Sequence, residues 1–261
     1  LFAGKAINLS EDKPVTHCSL RLPEYQSHEN YKKCASFADH LRANDGVTAV
    51  VNLGVGGSEH GPAMVTEALT GFHDGPSVHF VGNIDPAALY DVLIKCDPHK
   101  TLFIVTSKSF TTAETLTNAR LAKDWLKKNK VTANRAMVAV TANVERAKNW
   151  GIASDHIFAF DDGVGGRYSL WSAVGLPVMI AIGSKNFMAF LAGARAMDTH
   201  FKTAPLGSNL PVIMGLLRIW QRTFLGRTAY GLMPYDQRLS RFPGWAQQLE
   251  MESNGKSVDR V

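Results

Sequence analysis

Cysteine is scarce. Cys18, Cys34 and Cys96 are the three in 261 residues, and none sits at metal or redox spacing from another. Their odd number supplies no disulfide framework, and the usage fits a reducing cytoplasm. Long apolar runs are missing too. The longest uncharged one, residues 173–183, is interrupted by Gly175 and Pro177. It falls short of the roughly 20 residues that cross a bilayer, so no membrane span is expected. The opening Leu1-Phe2-Ala3-Gly4-Lys5 has neither the basic start nor the apolar core of a secretory signal. It also lacks an initial Met, which processing or truncation would explain. A strong charge of one sign is absent as well: the formal charge is +5, and only Lys127-Lys128-Asn129-Lys130 is locally dense. That cluster reads as a solvated helix end, so nucleic acid is not expected as a partner. What remains, 45% apolar and 20% charged, describes an ordinary globular chain able to bury a sizeable core.

Along the chain, residues 1–20 mix apolar and polar residues around Pro14 and read as an irregular arm lying on something else. Residues 29–42 have helical spacing, with Tyr31, Cys34, Phe37 and Leu41 on one face. Apolar strands follow at 48–53, 78–81, 102–106, 136–140 and 157–160, alternating with helical patterns. Strands this apolar, without polar alternation, predict a parallel sheet covered on both faces: a three-layer α/β domain over residues 40–183. Pro62 and Asp85-Pro86 mark helix starts, and Thr111 with Glu114 has the spacing of a capping box. From Ser184 onward the pattern turns helical, at 186–201, 211–224 and 238–251. The closing residues 254–261 carry no sign of a domain end, so a second domain is expected to be cut short.

Two loops end strands at the same sheet edge. Gly54-Val55-Gly56-Gly57-Ser58-Glu59-His60-Gly61-Pro62 allows close backbone approach, yet it lacks the third glycine of a dinucleotide fingerprint and the lysine of a nucleotide phosphate loop. A tight turn without ligand is its alternative reading. After the third strand come Ser107, Lys108, Ser109, Thr111 and Thr112. Capping a helix needs one or two hydroxyls; four around a lysine point to a phosphate cradle. A third stretch, Gly165-Gly166-Arg167-Tyr168, follows the last strand. Arg167 could stabilise an anion formed in a reaction, or equally pair with Asp161 or Asp162. Near the end, Glu250 and Glu252 lie two apart on a helix, so only one can face a given site, and spacing does not choose between them.

Taken together, these stretches resemble the phosphoglucose (glucose-6-phosphate) isomerase family over nearly the whole chain. The likeness rests on the opening Leu1-Phe2-Ala3-Gly4-Lys5-Ala6-Ile7-Asn8, on Gly56-Gly57-Ser58 with Gly61-Pro62, and on Ser107-Lys108-Ser109-Phe110-Thr111-Thr112. It also rests on residues 165–172 and on Gln248 with Met251-Glu252-Ser253-Asn254-Gly255-Lys256. The resemblance implies two sugar-isomerase (SIS) domains. An arm and helix (1–39) would precede a complete first domain (40–183), and connecting helices would lead into a truncated second (184–261). It implies that Ser107, Lys108, Ser109 and Thr112 hold a sugar phosphate, with Gly57, Ser58 and Gln248 contacting the sugar. Arg167 would stabilise a cis-enediolate, and Glu252 would move the proton between C1 and C2. The implied reaction interconverts glucose 6-phosphate and fructose 6-phosphate in glycolysis and gluconeogenesis, without metal or cofactor, in a cytoplasmic homodimer when full length. Proton abstraction beside a carbonyl does call for a placed carboxylate and a nearby cation.

Three departures stand out. Glu59-His60 replaces the family's Asp-Leu, Ser109 stands where Thr is frequent, and Leu249-Glu250 stands where Gly-Asp is usual. The ring-opening histidine and a late lysine of the family have no counterpart among these residues, and neither His60 nor His156 is assigned to that task. This piece alone is therefore expected to turn over poorly. A non-catalytic sugar-phosphate-binding regulatory module is the alternative.

Overall fold

The structure, a computed structural model, describes residues 2–8 and 14–256. Leu1 of the family-like opening and residues 257–261 of the closing stretch lie outside the described residues. Strands β1 (Ala49–Leu53), β2 (Ser77–Val81), β3 (Thr101–Thr106), β4 (Met137–Thr141) and β5 (Ile157–Ala159) form one parallel sheet in the order β2-β1-β3-β4-β5. Each expected strand is present, with its ends displaced by no more than about one residue.

Both sheet faces are buried, which is why the strands show no polar alternation. Val50, Leu102, Ile104, Val138, Val140 and Phe158 point to one core; Val51, Leu53, Phe103, Val105, Met137 and Ile157 point to the other. The first core is covered by α1 (Glu29–Arg42) and α2 (His60–Ala68). The second is covered by α3 (Pro86–Leu93) and α4 (Ala113–Lys128), with a single turn α5 (Ala133–Ala136) and α6 (Val144–Trp150) alongside. The apolar run 173–183 contains α7 (Leu176–Ile182), a fully buried helix that pattern reading does not anticipate because it has no polar face.

Helix starts follow their sequence signals with one exception. Asp85 accepts from Ala87 N at 2.9 Å with Pro86 at the first helical position of α3. The capping box expected at Thr111 and Glu114 does not form. Thr112 is the N-cap of α4, and its side chain makes no capping hydrogen bond. The hydroxyls pair with one another instead, Ser109 with Thr111 at 2.6 Å and Ser107 with Thr112 at 3.0 Å.

Beyond the sheet come α8 (Ser184–Thr203), α9 (Leu210–Ile219) and α10 (Phe242–Asn254). The helix expected over 211–224 stops at Ile219, and a π-wound turn, Trp220–Phe224, replaces its end. The one expected over 238–251 begins later, at Phe242, after a separate short turn at Gln237–Leu239. The arm lies on its neighbours: Thr16 N donates to Gly163 O at 3.1 Å, and the His17 ring stacks on Tyr168. Among the described residues, no helix is long and apolar enough to cross a membrane.

Candidate functional site

Strand order decides where a site can form. The chain runs from β1 outward to β2 and then returns to place β3 on the other side of β1. The loops leaving β1 and β3 therefore diverge and open a crevice at the carboxyl edge. Buried Asn52 holds the two strand ends together. Its Nδ2 donates to Ser58 O at 3.0 Å, and its Oδ1 accepts from Thr106 Oγ1 at 2.8 Å.

The loop after β3 is fixed from both ends. Ser107 N donates to Val140 O, and Lys108 O accepts from Ala142 N and from Thr141 Oγ1, so the loop prolongs the pairing with β4. Phe110 has φ of 52°, in the left-handed region that costs a side-chain-bearing residue about 1–2 kcal/mol. Its ring, buried in the second core and edge-on to Trp150, offsets that strain and anchors the loop.

A cleft of about 660 Å³ results, lined by Gly57, Ser58, Ser107, Lys108, Ser109 and Thr112. Lys108 Nζ reaches the backbone oxygen of Asp162 at 2.6 Å and its carboxylate at 3.3 Å. Sequence reading overlooked Asn143 and Arg146, which also line the cleft. Asn143 caps α6 by accepting from Arg146 N, and Arg146 Nη1 donates to Ser109 O at 3.1 Å. Their signal was positional: Thr141-Ala142-Asn143 ends a strand at the same sheet edge.

A second group lies beside the cleft. Arg167 Nη1 stands 3.1 Å from Glu252 Oε1, and Arg167 Nε donates to Ser253 Oγ at 2.8 Å. The alternative pairing of Arg167 with Asp161 or Asp162 is not what forms. Asp162 binds Lys108, and Asp161 accepts from Gly163 N and Thr16 Oγ1. Glu250 faces elsewhere, 2.5 Å from Arg218 of α9. Gln248 Nε2 donates to Glu252 Oε2 at 3.1 Å, while its buried Oε1 has no hydrogen-bond partner among the described residues.

Glycines join the two groups. A Cβ on Gly57 would lie 2.0 Å from Gly166 O, so the first glycine loop packs directly on the backbone that carries Arg167. Gly56 has φ of 56°, and Gln248 lies against it. Glu59, one of the departures, folds its carboxylate over Gly82, and burial there raises its pKa.

The sequence model of phosphoglucose isomerase matches residues 1–261. The chain belongs to the phosphoglucose isomerase family. Among curated relatives, the glucose-6-phosphate isomerase of Mesorhizobium japonicum is 47% identical over 279 residues, covering 99% of this chain and 51% of the relative. That of Brucella ovis is 47% identical over 281 residues, with the same coverage of 99% and 51%. The chain thus spans about half the length of the curated relatives it matches. The crystal structure of a glucose-6-phosphate isomerase from Chlamydia trachomatis superposes with a TM-score of 0.86 at 33% identity, over 96% of this chain and 51% of that one. A hypothetical protein from Thermus thermophilus superposes with a TM-score of 0.76 at 30% identity, over 94% of this chain and 56% of that one. Phosphoglucose isomerase family membership accordingly covers the cleft and the Arg167–Glu252 group alike.

Proposed function

We propose that the protein to which this chain belongs interconverts glucose 6-phosphate and fructose 6-phosphate, a step of glycolysis and gluconeogenesis, as a cytoplasmic homodimer. The observation that carries the reading is a carboxylate and a guanidinium in contact, Glu252 and Arg167, beside a cleft rich in anion donors. In this reading Ser107, Lys108, Ser109 and Thr112 bind the phosphate at the start of α4, where the N-cap side chain of Thr112 leaves the first N–H groups uncapped. Gly57 and Ser58 contact the sugar next to it. Gln248, which donates to Glu252 through Nε2, helps position the sugar.

The chemistry assigned to the pair is a proton shift. Glu252 takes the proton from C2 of the open-chain aldose and returns it to C1, the hydroxyl proton passes from O2 to O1, and Arg167 faces the oxygen that carries charge in the cis-enediolate. Ring opening and the late lysine are assigned to residues after Val261. Residues 1–39 serve as arm and helix, 40–183 as a complete sugar-isomerase domain, and 184–261 as the start of a second. On that division these 261 residues bind phosphosugar but turn it over poorly.

The test is conversion of fructose 6-phosphate by the full-length protein and its Glu252→Gln variant. The reading expects a loss of about 10²–10⁴-fold in turnover with phosphosugar binding retained. A binding-only regulatory module would show no turnover in either form. Unchanged isomerisation by the variant removes Glu252 as the base.

A further inference from the structure

Resting on the isomerase reading, we propose that Ser253 is a positioning residue whose hydroxyl holds the Arg167 guanidinium in register with Glu252. Arg167 and Tyr168 belong to a short turn after the sheet, Gly166–Trp171, whereas Glu252 and Ser253 belong to α10. Ser253 Oγ is where the two elements meet through one atom. It accepts from Arg167 Nε at 2.8 Å and shares a hydrogen bond with Tyr168 OH at 2.9 Å. A hydroxyl has two acceptor sites and one proton, which suits it to both contacts at once.

The geometry gives this contact a specific task. Arg167 approaches Glu252 through Nη1, 3.1 Å from Oε1, at the outer end of the guanidinium. The bond from Nε to Ser253 fixes the plane at its inner nitrogen. The Tyr168 ring, 4.9 Å from Arg167 Cζ, supports its face. His17 of the arm stacks on the same tyrosine, with ring centroids 4.6 Å apart and planes 15° from parallel, which limits where Tyr168 can move. Ser253 directly follows Glu252 in the helix, so anchoring its side chain also sets the rotation of the turn that carries the carboxylate. The arrangement places Ser253, Tyr168 and His17 behind the reacting groups, and leaves the phosphate cleft to other residues.

The experiment measures kcat and KM for fructose 6-phosphate with the full-length wild type and its Ser253→Ala, Ser253→Thr and Tyr168→Phe variants. A wild type that binds phosphosugar without isomerising it overturns the isomerase reading, and this inference with it, before any variant is compared. With an active wild type, Ser253→Ala is expected to lower kcat about ten- to a hundredfold with KM changed less than about threefold, the size of effect that misplaced groups produce. Ser253→Thr, which keeps the hydroxyl, should restore most of it. Wild-type kcat in Ser253→Ala, or a loss that Thr does not restore, overturns the proposal. If Ser253→Ala does not fold, Tyr168→Phe decides. A lowered kcat at unchanged KM supports the role, and wild-type kcat overturns it.

Discussion

Glu252 stands 3.1 Å from Arg167, joining the end of α10 to the turn that follows the sheet. Two residues earlier Glu250 reaches Arg218 instead, because positions two apart on a helix point about 160° away from each other. The two carboxylates are thereby sorted by helix geometry into one beside the cleft and one on the far side.

Arg167→Lys keeps the positive charge but loses the planar fork that reaches Glu252 and Ser253 together. In the full-length protein kcat should fall about ten- to a hundredfold while KM for fructose 6-phosphate changes little. Glu250→Gln, which loosens only the Arg218 contact, should stay within about twofold of wild type in steady-state kinetics.

Gly57→Ala forces a methyl to within 2.0 Å of Gly166 O, whereas a methyl on Gly166 meets nothing within 4 Å. Backbone stands in the way at Gly57, so a cost of about 1–3 kcal/mol or more is expected. Thermal unfolding should show a lower melting temperature for Gly57→Ala and an unshifted one for Gly166→Ala.

Asn52→Leu preserves size but leaves the buried Thr106 hydroxyl unpaired and releases the half-buried Ser58 carbonyl. The buried unpaired hydroxyl costs about 1–3 kcal/mol. Urea denaturation should report the loss, and the KM for phosphosugar should rise because the two loops are no longer tied.

His17 has its pKa lowered from 6.5 to about 4, first by burial and then by the nearby Arg21 charge. The unfolded chain therefore takes up this proton before the folded one does. The stability contributed by the neutral ring is complete above pH 6.5 and is lost as the pH falls from there towards about 4. His17→Phe keeps a ring on Tyr168 and removes the titration. Between about pH 7 and about pH 4.5 its melting temperature should fall less than that of the wild type.

The strands were legible because burial on both faces leaves an apolar run, and Asp85-Pro86 was legible because a cap acts within three residues. The capping box at Thr111 was misread. In a loop pinned by β4 and by Phe110, the hydroxyls found one another before the helix N–H groups. Buried α7 was missed for lack of a polar face, and Asn143 and Arg146 for lack of any local motif.

Periodicity and turn chemistry act over short distances, and for that reason the parallel sheet, the two loops at its carboxyl edge and the residue types gathered there could be read from the order of the amino acids. That Arg167 meets Glu252 and Ser253 while Lys108 takes Asp162 emerges from the folded arrangement. So does the need for a small residue at position 57, because Gly166 lies against Gly57. Those outcomes depend on where strand order and the packing of α10 bring distant segments into contact, and no local spacing encodes a distance between elements so far apart in the chain.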